Sequence, residues 1–185
     1  VFDYFAYAKV ECKIDYLSKI NIIFIMLPEI ILMPTKRIVG KKMDMSLSDN
    51  KTAELWRSFM IRRNEVLDRV GEEYYSINIY APDFSMNQMN MEMRFMKWAG
   101  VEVSSTNTIP EEMNVCEIPE GLYAVFIHKG GVEAFGATMN HIFSEWMPSS
   151  EYMWDNRPQF EVLGKKYKNN SDDSEEEVWI PICKK

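Results

Sequence analysis

Between Lys36 and Ile182 the chain passes twice through the same succession: a strand-like run, an amphipathic helix, then two more strands. In the first pass Lys36 to Met43 reads as a strand, and Asp49 or Asn50 can cap the helix that follows. Leu55, Trp56, Phe59, Met60, Val66 and Val70 share one stripe at a period of about 3.6 residues, which predicts a helix reaching Val70. Tyr74 to Tyr80 alternates as a half-buried strand. Met93 to Ser104 sets Phe95, Ala99, Val101 and Val103 on one face and Met96, Trp98, Gly100 and Glu102 on the other. The second pass consists of a strand from Leu122 to His128, a helix from Val132 to Trp146 ended by Pro148, and strands Phe160 to Tyr167 and Glu176 to Ile182.

This order predicts an α+β fold: two strand-helix-strand-strand units forming antiparallel sheet, the helices on one side, and a ligand cleft between the units. Each helix must bury its stripe against the sheet, so the cleft lies on the other sheet face or at the seam. Residues 1–33 differ in pattern and read as an N-terminal extension, an accessory helix and strand for an edge or dimer contact; residues 34–185 form the domain. The apolar run Ile20 to Met33 is interrupted by Asn21, Pro28 and Glu29 and is too short to span a membrane.

Gly121-Leu122-Tyr123-Ala124-Val125-Phe126-Ile127-His128-Lys129-Gly130, Asp155 to Gly164 and Glu177-Val178-Trp179-Ile180-Pro181-Ile182 resemble the GyrI-like domain in sequence and order. Glu54 to Met60, Tyr74 to Ile77 and Lys97 to Val103 extend the resemblance, which covers roughly Pro28 to Ile182. That domain is also the effector-binding part of some AraC-type and multidrug-responsive bacterial transcription regulators. The resemblance implies a pseudo-twofold arrangement with the ligand between the units. In the multidrug-responsive relatives the pocket is aromatic, acidic near its base, and takes bulky lipophilic cations. The matching strands carry Glu161, Glu177 and Trp179, with Trp98 as a wall from the first unit; Gln159 stands where many relatives have His.

Read from the residues, Val178, Ile180 and Ile182 should meet the helices, leaving Glu177 and Trp179 on the opposite face. Glu161, out of phase with Phe160 and Val162, should also point away from the helices. Trp98, Trp179, Tyr80 and Tyr123 offer aromatic faces to a cation. The bland alternatives stay open: Glu177 as the end of the solvated acidic run from Asp172, Trp179 as an edge aromatic, and Glu161 as a surface charge beside Lys165 or Lys166. Asp155 and Arg157 read as loop-fixing residues. Met86, Met89, Met91, Met93 and Met96 read first as filler and loop, with a pliable pocket rim as the second reading.

A net charge of -7 argues against nucleic acid as a partner. Cys12, Cys116 and Cys183 form no C-x-x-C pair and His128 and His141 make no ligand cluster, so no metal or cofactor is expected and the setting reads as reducing and cytoplasmic. The expectation is a stand-alone binding protein, monomer or homodimer, for a lipophilic cationic or amphipathic compound. The first 34 residues are too short for the paired DNA-reading unit of AraC-type regulators. The alternatives are a hydrolase of strained electrophiles using Glu177 or Glu161, as in some GyrI-like proteins, and a protein-binding inhibitor, since the family fold also serves to inhibit DNA gyrase.

Overall fold

The computed structural model describes residues 27–169 and 171–185. The accessory helix read in the extension, and the apolar run as far as Met26, lie outside the described residues. Among the described residues nine strands form one antiparallel system. The first unit contains β2 (Lys36–Met45), helix α1 (Thr52–Met60), β3 (Tyr74–Ile79) and β4 (Phe95–Glu102). The second contains β6 (Gly121–Lys129), helix α2 (Val132–Asn140), β8 (Gln159–Leu163) and β9 (Glu175–Lys184). With β1 (Glu29–Met33) and β5 (Asn114–Ile118) at the edges, the order β1-β6-β9-β8-β3-β4-β2-β5 joins the units through β3 and β8, and β7 (Tyr152–Trp154) pairs with β9. The predicted α+β fold and its two repeated units are therefore present. Sequence patterning missed the strands β5 (Asn114–Ile118) and β7, both short. Strand β1 (Glu29–Met33) pairs with β6, so the sheet begins upstream of residue 34.

Connectivity forces this sheet to curl. Strands β1 and β2 lie six strand spacings apart in the order, about 29 Å across a flat sheet. Only Pro34 and Thr35 join them, and that link reaches about 11 Å. The same holds for β5 and β6, joined by Pro119 and Glu120. The two links meet where the Glu120 amide donates to Thr35 Oγ1 at 3.2 Å. The concave face is consequently a core in itself, built from Ile38, Tyr75, Ile77, Trp98, Cys116, Ile118, Tyr123, Val125 and Phe160. On its tight side Gly40 faces Gly100, and a Cβ at Gly100 would sit 2.7 Å from both Ile38 Cγ2 and the Val39 carbonyl oxygen.

The helices cover the convex face. Leu55 and Phe59 of α1 pack on Val39, Ala99 and Val101. Beyond α2, Ile142 and Met147 pack on Ala124, Phe126, Val178 and Ile180. Helix α1 ends at Met60, ten residues before the predicted end. Asp68 takes a positive φ of 59°, which an α-helix does not allow, and the Val70 amide donates to the Glu102 carbonyl oxygen. Val66 still reaches the core, while Val70 is exposed. Strand β8 likewise stops at Leu163, short of Tyr167.

Candidate functional site

Two helices set over two halves of one sheet leave a seam between them, and its floor consists of β3 and β8. Asn78 and Gln159 are cross-strand partners there, with Lys97 beside Asn78 on β4 and Glu161 beside Ser76 one row along. These side chains alternate away from Ile77, Trp98 and Phe160, so they point to the helix side. The expectation for Glu161 is thereby reversed: it pairs with Val178, which packs under α2. The reason is that both sheet faces are apolar. Phe160 and Val162 turn to the curled interior, and Glu161 is left facing the helices.

A cavity of about 530 Å³ opens over Asn78 and Gln159, within the range of small-molecule sites. One wall is Phe135, Met139, Phe143 and Met147, each four residues after the last. Four-residue steps drift around a regular α-helix, but the chain continues from α2 into a π-helical segment, His141–Trp146, whose wider turns offset that drift and keep the row aimed at the cavity. The opposite wall is Met86, Met89 and Met93, so the rim reading of these methionines fits their position. Tyr80, Phe95 and Trp154 close the far side, Tyr80 stacking on Phe84 at 4.5 Å and meeting Trp154 edge-on at 6.3 Å.

The polar atoms of the floor are incompletely used. Gln159 is only 5% exposed, and its Nε2 donates to Tyr80 Oη at 3.4 Å. Asn78 Oδ1, Gln159 Oε1 and Trp154 Nε1 are buried without a hydrogen-bond partner among the described residues. Burial raises the Tyr80 hydroxyl well above the usual phenol range, so it keeps its proton at neutral pH. Beside this floor Lys97 Nζ meets Glu161 Oε2 at 3.3 Å, both side chains largely buried.

Farther along the seam Glu176 is paired in register with His128, whose Nδ1 lies 2.8 Å from Thr138 Oγ1 on α2. Burial first, then the facing Glu161 carboxylate, pushes Glu176 up to about 7, while Lys97 acts against this. Because a raised carboxylate binds its proton more tightly folded than unfolded, stability should fall as pH rises from about 4.5 to 7. Burial lowers His128, whose contribution has the opposite sign, so the informative quantity is the difference between wild type and Glu176→Gln. Urea unfolding across this range is expected to show the two converging near pH 4.5 and the variant ahead at pH 8 by roughly 1–3 kcal/mol. A difference independent of pH would contradict this environment for Glu176.

The sequence-predicted site residues divide between the two faces. Tyr80 lines the cavity and Glu161 lies next to it. Glu177, Trp179, Trp98 and Tyr123 lie on the concave face, Trp179 Nε1 donating to Glu177 Oε2 at 2.8 Å and Tyr123 Oη to the Pro158 carbonyl oxygen at 3.0 Å. Trp179 stacks on Phe160 at 5.3 Å. Arg157 bonds Asp155 and the Leu122 and Ile182 carbonyl oxygens, fixing the loop before β8. Asn78 drew no functional reading and Gln159 was singled out only as a departure from the His of many relatives, because an amide in a strand has no pattern that separates it from a surface residue. The helix wall reads in sequence only as a core stripe.

Residues 26–182 match the GyrI-like small molecule binding domain, and the chain belongs to that family. It is 29% identical over 154 residues to the transcriptional regulator BrlR of Pseudomonas aeruginosa, covering 80% of this chain and 53% of that protein. The chain thus spans about half the length of this regulator. Among solved structures, SAV2435 bound to tetraphenylphosphonium superposes with a TM-score of 0.61 at 16% identity, over 84% of this chain and 93% of that one. The EcmrR C-terminal domain gives 0.62 at 14% identity, over 86% and 99%. Among the described residues no helix is long and apolar enough to cross a membrane.

Proposed function

We propose that this domain holds a lipophilic cationic or amphipathic compound in the seam cavity, between the α2 wall and the Asn78–Gln159 floor. The observation that carries the reading is a 530 Å³ space walled by aromatic rings and thioethers above buried amide oxygens without partners. Rings attract a cation through their faces, methionines adapt to its outline, and the amide oxygens make the floor electronegative. Family membership supports a small-molecule ligand, and the tetraphenylphosphonium complex of SAV2435 shows a lipophilic cation bound by a protein of this fold.

Titration with tetraphenylphosphonium, followed by tryptophan fluorescence, tests the proposal. Met139→Trp puts a larger side chain on the cavity wall and is expected to weaken binding about tenfold or more, equivalent to ~1.4 kcal/mol. Unchanged affinity in a folded Met139→Trp protein would remove the cavity from the account.

A further inference from the structure

We infer that the cavity selects, among such compounds, those carrying an N–H or O–H donor, and that the Asn78 and Gln159 amides are the groups that read it. The inference rests on the function proposed above and narrows its ligand class to lipophilic amines, amidines or aminoaryl cations with at least one N–H.

The argument is a count of protons. Tyr80 Oη lies beside the floor amides: Gln159 Nε2 is 3.4 Å away, and Asn78 is the cross-strand partner of Gln159. The nitrogen and oxygen ends of an amide can exchange places by a flip, so either end could face Tyr80. A hydroxyl, however, owns one hydrogen. At most one amide oxygen can turn inward and be satisfied by it; the other amide must then present its NH2 group and leave its oxygen outward. The hydroxyl alone therefore cannot satisfy both amide oxygens, and as placed Asn78 Oδ1 and Gln159 Oε1 are both buried without a partner among the described residues. Gln159, nine-tenths buried and on the cavity floor, has little access to solvent for compensation.

The remaining nearby cation does not fill that role. Lys97, next to Asn78 in the register, is turned to Glu161 at 3.3 Å. The same pairing compensates the carboxylate beside the cavity, so charge alone separates one cation poorly from another here. A quaternary ion gains the aromatic faces but leaves the amide oxygen unpaired. A cation with an N–H gains the same faces and satisfies that oxygen. Sites built around a hydrogen bond reject analogues that lack it more strongly than apolar pockets reject a change of shape.

A matched dye pair decides the matter on the intact chain. Rhodamine 123 carries primary amino groups; tetramethylrhodamine methyl ester has the same cationic skeleton with every N–H replaced by N–CH3. Wild type is expected to bind the N–H dye at least about tenfold more tightly. Asn78→Leu combined with Gln159→Leu should bring the ratio to within about threefold by weakening the N–H dye alone. The wild-type ratio needs no variant to be informative. Equal affinities in wild type, with both dyes bound, would overturn the donor-reading floor while leaving the cavity standing. A preference that persists in the double variant would assign it to dye size and equally overturn the inference. If neither dye nor tetraphenylphosphonium binds, it is the underlying functional reading that fails.

Discussion

Phe160→Ala is expected to cost about 3–5 kcal/mol of stability. Phe160 sits at the centre of the concave face, 1% exposed, against Trp179 at 5.3 Å, Tyr123 at 5.4 Å and Tyr75 at 5.9 Å. Its three ring neighbours belong to three different strands, all held by the curl, so the hole left by the substitution cannot close by sliding a helix. Phe160→Leu should retain most of the stability. Chemical denaturation measures both, and a loss below about 1 kcal/mol for the alanine variant would mean that the concave face is not a packed interior.

Lys97→Met should be comparably severe for an electrostatic reason. Glu161 would remain buried at 14% side-chain exposure, with Glu176 facing it and its positive partner gone. Removing one member of a buried pair typically costs about 3–5 kcal/mol, mostly the penalty of the stranded charge. Adding Glu161→Leu to Lys97→Met should recover most of that loss, because the uncompensated carboxylate disappears. A double variant no more stable than Lys97→Met alone would show that Lys97 acts through packing and not through its charge. The single Glu161→Gln variant leaves Lys97 unpaired beside the cavity and should weaken tetraphenylphosphonium binding.

The two-unit architecture was legible because the principal strands and both helices carry their periods openly. Phe95, Ala99, Val101 and Val103 against Met96, Trp98 and Gly100 is an alternation that survives intact in the fold. Two things were not legible. One is the curl, which follows from the links Pro34-Thr35 and Pro119-Glu120 acting between edges that no local pattern identifies as near neighbours. The other is the facing of β8. A residue alternating with apolar partners points away from the helices only when the helix side is the sole core. Here the curled face is a second core, so Phe160 belongs inside the curl and Glu161 under the helices. In β9 the aliphatic residues do face the helices, and the same rule succeeds.

That difference between β8 and β9 moves the candidate floor from Glu177 and Trp179 to Asn78, Gln159 and their neighbour Glu161. A crystal structure with tetraphenylphosphonium bound tests this location most directly. The account predicts ligand density between the Phe135, Met139 and Phe143 wall and the Asn78–Gln159 floor. Density against Trp179 and Glu177, inside the curl of the sheet, would contradict it.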